Sequence, residues 1–389
     1  MSSLALFGGT PILRPEEHGR WPALTDDDRR AVLAVLDRGV LSGMHAPEAR
    51  ALERELGEFC GASFCLLTHS GTSALQLALA ALGIGEGDEV IVPAYSFIAT
   101  ALAVVLQGAV PIFVDVDPET GGLDPARLAA EITPRTRAVM PVHVHGCPAD
   151  LDAIGAIARR HGLRLLEDAA QAHGATYRGR PVGALGAAGA FSFQSSKSLA
   201  GGEGGLFVTN DRALAEAAEN TRSFGQPFPL ADAGGYDPER PLDGDRVQES
   251  VRVGAMYRGN EMMAALVRSQ LRRFPEILAR CQENARTLSA ALAALPGVRP
   301  LEVPEDRTSS CHKFRVRLDP QAAGLDLSPR ELRDLMVRAL RAEGLEVVFW
   351  QTAPLPSQLL FQRLEGFGQG FPWRHEPERA RANYDPARY

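Results

Sequence analysis

Lys197 stands between Ser196 and Ser198 in "AFSFQSSKSLAGGEGGLFVTND", residues 190–211, just before a glycine-rich turn. A solvated surface lysine needs no such setting. An amine that attacks a carbonyl does, because glycine lets the backbone pass close to a ligand. Ser192 adds a hydroxyl upstream of it. A lysine in an ordinary hairpin connection has the same appearance, so the turn has to be weighed with the rest of the chain.

Three further stretches carry chemistry. "HSGTSAL" puts Ser70, Gly71, Thr72 and Ser73 at a helix start, where unpaired N–H groups and the helix dipole attract a phosphate. The same residues also make a plain N-cap. "LLEDAAQAHG" ends an apolar strand at Asp168, where a partly buried carboxylate wants a cationic partner. A helix cap or a structural ion pair is its other use. Phe97 in "PAYSFIATA" either offers a flat face to a ring or fills the core. Taken together, an amine for an aldehyde, a carboxylate for a ring nitrogen and an anion nest for a phosphate are what pyridoxal 5′-phosphate requires.

The elements that position these residues alternate. "DEVIVPA", "VPIFVDV", "RAVMPVHV", "LRLLEDAA", "GAFSF" and "GLFVTN" read as strands, and helical periodicity fills the intervals between the earlier ones, as in "GTSALQLALAALG" and "DLDAIGAIARRHG". This rhythm predicts an α/β fold with a mostly parallel central sheet covered by helices, whose ligands bind at the strand ends. Residues 225–250 are rich in Gly, Pro and Asp and read as a long loop. Beyond them come a long amphipathic helix pattern kinked at Pro275, a strand in "CHKFRVRLD", a helix with Ser328 as N-cap and Glu331 completing a capping box, and a strand in "LEVVFW". The expected division is a large domain over 1–250, with about 1–20 packing on the other unit, and a smaller α+β domain over 251–389. The last twenty residues look polar and loosely structured.

Bulk properties narrow the partners. The chain has 389 residues and a net charge of −7, which gives no attraction to nucleic acid or to an anionic membrane. Five cysteines with no C-x-x-C pair indicate neither a disulfide framework nor a zinc knuckle, and a reduced cytoplasm is the expected compartment. The N-terminus lacks the basic region of a signal peptide, and no apolar run reaches the length of about eighteen residues that a membrane span needs. His143 and His145 in "VHVHG" have metal-ligand spacing without a third ligand nearby, so no metal is expected.

"GTSAL", "EVIVPAYSFIATA", "PIFVDVD", "LLEDAAQAHGA" and "FSFQSSKSLAGGEGG" resemble the DegT-like sugar aminotransferase family of fold-type I pyridoxal phosphate enzymes, from about residue 10 to the end of the chain. The resemblance implies that Lys197 is the Schiff-base lysine, that Asp168 faces the pyridine nitrogen, Gln171 the ring hydroxyl side and Phe97 the ring face. It gives Thr72, Ser73 and Ser192 the phosphate, beside Gly71 at the same helix start. It further implies a homodimer with shared active sites, an amino donor such as glutamine or glutamate, and a keto-sugar or keto-cyclitol acceptor, nearest in flavour to natural-product enzymes.

The chain departs from the family at one residue. Family members usually carry an asparagine, reaching the phosphate of the neighbouring subunit, where this chain has Met256; either the phosphate has lost one contact here, or Arg258 or Asn260 supplies it. The family's small domain also continues past the point where this chain ends, so the chain is expected to be short at its C-terminus. Two alternatives stay open: a dehydratase or aromatising synthase of the amino-hydroxybenzoate type, and a non-catalytic regulator that binds the cofactor. Sugar dehydratases of the family carry histidine in place of Lys197, which argues against that branch.

Overall fold

The computed structural model describes residues 3–43, 46–227, 249–349 and 351–389. Most of the long loop read over 225–250 therefore lies outside the described residues, as does Trp350.

Strands β1 (Phe64–Thr68), β2 (Glu89–Pro93), β3 (Val110–Val114), β4 (Thr136–Val139) and β5 (Arg164–Asp168) precede two short strands, β6 (Thr176–Tyr177) and β7 (Arg180–Pro181), and then β8 (Ala188–Ser192) and β9 (Gly205–Thr209). The main sheet has seven strands in the order β1-β9-β8-β5-β4-β2-β3. From β3 to β8 every pairing is parallel, and β9 runs antiparallel to both β8 and β1. Consecutive side chains point to opposite faces, and both faces are covered, which is why these strands read as continuous apolar runs.

Leu66, Val90, Val92, Leu166, Ala190 and Phe207 pack under helices α3 (Gly71–Ala81) and α4 (Ala99–Leu106). Leu67, Phe191, Leu206 and Val208 pack on the other face, where α2 (Pro47–Cys60) lies. α1 (Asp26–Arg38) precedes α2, while α5 (Pro125–Leu128), α6 (Leu151–Arg160) and α7 (Arg212–Arg222) follow in the large unit.

The amphipathic stretch beyond residue 260 is two helices, α8 (Glu261–Leu271) and α9 (Phe274–Ala293), with Pro275 in the first turn of the second, where its missing N–H costs nothing. α8 packs against α1 and α2. β10 (Val298–Pro300) pairs with β12 (Val316–Leu318), and β11 (Arg307–Thr308) pairs with β6. α10 (Pro329–Ala342) opens on the capping box of Ser328 and Glu331. Ala5 and Ile12 donate backbone hydrogen bonds to the Glu343 carboxylate just after it, at 2.8 and 3.2 Å.

Two readings need correction. "LEVVFW" forms no strand over its described residues: the Val347 carbonyl accepts from Arg341 Nε at 2.8 Å, a local bond in place of a ladder. The last residues are ordered. α11 (Leu359–Arg363) and α12 (Pro377–Asn383) bring Phe361, Trp373 and Tyr384 into the core beside Phe113. Asn383 accepts from the Phe113 N–H at 2.7 Å and donates to its carbonyl at 3.0 Å, so its amide pairs backbone groups of edge strand β3. Residues 355–389, assigned by sequence to the small unit, thus pack on the large sheet.

Candidate active site

The parallel strands deliver their C-terminal ends to one edge of the sheet, and the candidate residues gather there. Asp168 is the last residue of β5 and is 4% exposed. Its backbone is held from the neighbouring segment by His143 N–H at 3.0 Å, and its side chain from two sides: Thr100 Oγ1 donates to Oδ2 at 2.7 Å and the Ala170 N–H to Oδ1 at 3.2 Å. Ser96 bonds to Thr100 at 2.8 Å behind it. Burial pushes the carboxyl above its usual range, while these donors and the Lys197 ammonium pull it back.

Lys197 lies between β8 and β9, as its flanking alternation predicts, with its N–H on the Gln194 carbonyl at 2.8 Å. It is buried, and desolvation brings its pKa down to about 8; repulsion from Lys313 adds to the fall, and Asp168 opposes it. At that value roughly a tenth of the amine is neutral at pH 7, against about one part in three thousand for a free lysine.

The helix start and Ser192 are brought together. A Cβ on Gly71 would fall 2.7 Å from Ser192 Cβ, so glycine alone lets α3 begin against the end of β8. Gly205 does the same for β9, since a Cβ there would meet the Ser70 carbonyl oxygen at 2.3 Å. Ser70 and Ser73 cap each other: Ser70 Oγ accepts from Ser73 N–H and Ser73 Oγ from Ser70 N–H, both at 3.1 Å. The cap and the anion site are therefore one structure. The hydroxyls close the turn, while Gly71 and Thr72 have no upstream carbonyl in the helix for their N–H groups.

Phe97 is 52% exposed between β2 and α4, so the reading of it as a core aromatic does not hold. Gln171 is buried, its Oε1 accepting from the His145 N–H at 2.8 Å. His143 is engaged at both nitrogens, with the Ala149 N–H on Nδ1 at 3.1 Å and Glu167 on Nε2 at 3.0 Å.

Arg258 lies opposite the end of β1, just before the α3 start, and Asn260 at the start of α8. Arg258 bridges to Thr68 and donates to Ser223 Oγ at 3.3 Å, beside Arg222, which pairs with Glu53 and Glu219 in the interior. Asn260 caps α8, accepting from Met263 N–H at 2.9 Å. Among the described residues no hydrogen bond or ion pair links either to Asp168 or Lys197. Met256 is 43% exposed, and its thioether has no donor to offer.

Sequence reasoning missed the residues that approach Lys197 from beyond residue 250. "CHKFRVRLD" read as one strand, but only Val316–Leu318 pairs, and Cys311 has a left-handed φ of 52° that turns the chain toward the sheet edge. Lys313 and Arg315 follow that turn, with Tyr95 and His145 on the sheet side. The cations at alternate positions between Cys311 and Val316 were the available signal.

These residues fit pyridoxal phosphate: a buried carboxylate, a lysine of lowered basicity and a helix start set against Ser192 match its ring nitrogen, aldehyde and phosphate. A parallel sheet whose antiparallel β9 follows such a lysine is the framework of a fold-type I pyridoxal-phosphate-dependent transferase. A model of the DegT/DnrJ/EryC1/StrS aminotransferase family matches residues 22–372. The chain is 42% identical over 332 residues to L-glutamine:2-deoxy-scyllo-inosose aminotransferase of Micromonospora echinospora, covering 83% of this chain and 77% of that protein. It is 42% identical over 323 residues to L-glutamine:scyllo-inosose aminotransferase of Streptomyces griseus, covering 82% and 74%. The crystal structure of 3-amino-5-hydroxybenzoic acid synthase superposes with a TM-score of 0.78 at 35% identity, covering 90% of this chain and 84% of that one. The chain belongs to the DegT/DnrJ/EryC1/StrS aminotransferase family, whose members work with pyridoxal 5′-phosphate, and it is an aminotransferase.

Proposed function

We propose that this aminotransferase takes its nitrogen from L-glutamine and delivers it to the ketone of an inosose-type cyclitol, as a cytoplasmic homodimer. The observation that carries the chemistry is the buried Asp168–Lys197 pair beside the α3 start; the substrates rest on the names of the relatives. Bound there, pyridoxal phosphate supplies a conjugated ring that takes up the electron pair released at the donor's Cα.

The chain's residues do the rest. Asp168, fixed by Thr100 and Ala170, keeps a proton on the ring nitrogen. The Gly71 and Thr72 N–H groups and Ser192 hold the phosphate at the positive end of α3. Phe97 covers one ring face, and Gln171, oriented by the His145 N–H, offers its amide nitrogen to the ring hydroxyl. Lys197 Nζ, neutral for an appreciable fraction of the time, would accept the proton that leaves the donor's Cα and hold it for return.

The same proposal places the cofactor-holding unit over 1–250 together with 355–389, and the smaller unit over the residues between. Val253, 95% exposed, and Met256 are apolar side chains suited to a subunit contact, through which Arg258 or Asn260 would reach the partner's phosphate. No helix among the described residues is long and apolar enough to cross a membrane.

The test is incubation of the purified holoenzyme with L-glutamine and a panel of inososes and keto-sugars, read by mass spectrometry. An amine in place of the inosose ketone supports the reading. An aromatic product would move the chain to the synthase branch, and no turnover with any ketone would sink the acceptor class.

A further inference from the structure

The chain contains only two lysines, Lys197 and Lys313, and the charge of the second acts directly on the first. Arginine serves everywhere else a side chain must carry a permanent positive charge. The segment bearing Lys313 is stitched to the sheet edge by backbone and side chain: Ser310 N–H donates to the Gly146 carbonyl at 3.0 Å, Ser310 Oγ to the Gln171 carbonyl at 2.7 Å, and Lys313 N–H to the His145 carbonyl at 3.4 Å. Arg315 follows two residues later. Its guanidinium lies 5.8 Å from the Tyr95 ring centroid and against Gly121, where a Cβ would come within 2.6 Å of Nη1.

Two nitrogens of that guanidinium, Nε and Nη2, are buried with no hydrogen-bond partner among the described residues. A desolvated cationic fork of this kind is costly unless an anion completes it. Its planar donors match a carboxylate in two-point geometry. His145, pushed down to about 3 by burial and then by Arg315, Lys313 and Lys197, is neutral, and His312 is held down by burial and by Lys197 and Lys313. Asp168, the carboxylate whose charge acts on Lys197, is already committed to the ring nitrogen by the mechanism.

We propose that Arg315 and Lys313 form the subsite that takes the α-carboxylate of the amino donor, an inference that rests on amino transfer from an amino acid. The anions of the reaction divide cleanly under this assignment. The cofactor phosphate goes to the α3 start, an inosose acceptor carries no charge, and the donor carboxylate is what remains for the cations facing Lys197.

The experiment measures calorimetric binding of two unreactive probes to the holoenzyme: α-methyl-L-glutamine, which has no Cα hydrogen to lose, and the same compound with its carboxylate converted to a carboxamide. The wild type is expected to bind the acid about tenfold or more tightly than the amide, and Arg315→Met to lose that preference. Arg315→Lys, which keeps the charge without the fork, should recover part of it and serves if the methionine variant folds poorly. In steady state, Arg315→Met and Lys313→Met should raise the KM for glutamine and leave the KM for the inosose unchanged. A KM change confined to the acceptor would overturn the proposal and assign the cations to an anionic acceptor. Equal binding of acid and amide by the wild type would overturn it while leaving amination of the inosose intact. A preserved acid preference in an enzyme that does not use glutamine would support the subsite with a different amino acid as donor.

Discussion

Thr100 Oγ1 donates to Asp168 Oδ2 at 2.7 Å, joining α4 to the end of β5 across 68 residues of sequence. Thr100 is 1% and Asp168 4% exposed, so the bond is shielded from water and fixes which carboxylate lone pairs remain to face the site.

Replacing Asp168 by Asn removes the anion and keeps the shape. Loss of the preorganised partner of the ring nitrogen should cost about 3 kcal/mol of transition-state stabilisation, roughly a hundredfold in kcat. Thr100→Val should act in the same direction and less, about tenfold, because the carboxylate stays but loses a donor. Wild-type turnover in Asp168→Asn would assign the ring nitrogen to another residue.

The pH profile of cofactor capture by the apoprotein follows from Lys197. Only the neutral amine attacks an aldehyde, and burial sets its pKa at about 8 in the fold, below the ordinary lysine value of 10.5. The rate of pyridoxal phosphate uptake should therefore rise through pH 8 and level off above it. Lys313→Met removes a repelling charge, so the amine holds its proton more tightly and the profile should move to higher pH. A profile still rising steeply at pH 10, or one that moves to lower pH in that variant, would refute the electrostatic account.

Met256 offers no donor at the position where the family resemblance implies an asparagine. Met256→Asn should tighten pyridoxal phosphate binding by about 1 kcal/mol through a new hydrogen bond to the phosphate, several-fold in Kd. Unchanged affinity, measured by equilibrium dialysis, would mean that this segment does not approach the phosphate in the assembled protein.

The C-terminal tail carries a stability prediction. Asn383→Ala leaves the Phe113 N–H without its partner in the interior and takes one of two donors from the Phe113 carbonyl, the Tyr389 hydroxyl remaining at 3.2 Å; it should destabilise the fold by about 1–3 kcal/mol, read as a lowered denaturation midpoint with an unchanged slope. A midpoint equal to wild type would show that water replaces the amide.

Residues such as Val90, Ile91 and Val92 were legible as strand because both faces of the sheet are covered, leaving no polar position to interrupt the run. β1 escaped notice: "FCLLT" is short, and its place is set by antiparallel pairing with β9, from Phe64 opposite Thr209 to Thr68 opposite Gly205, which no local pattern announces. Asp168 and the Ser70–Ser73 turn stood out because each sits at the boundary between strand and helix signals, and Lys197 because it sits in a glycine-rich turn between two strand signals. Arg315 did not, since its partners Tyr95 and Gly121 are about 200 residues away and the alternation around it imitates a strand. The tail misled because its few apolar side chains, Trp373 and Tyr384, are spaced by polar residues that face solvent.

The most direct test of the account is the site of covalent attachment. Borohydride reduction of the holoenzyme, followed by proteolysis and mass spectrometry, should place the whole pyridoxyl label on the peptide containing Lys197. With Lys313 as the only other lysine, the outcome is binary. Label on Lys313 would contradict the assignment of Lys197 as the lysine that carries the cofactor.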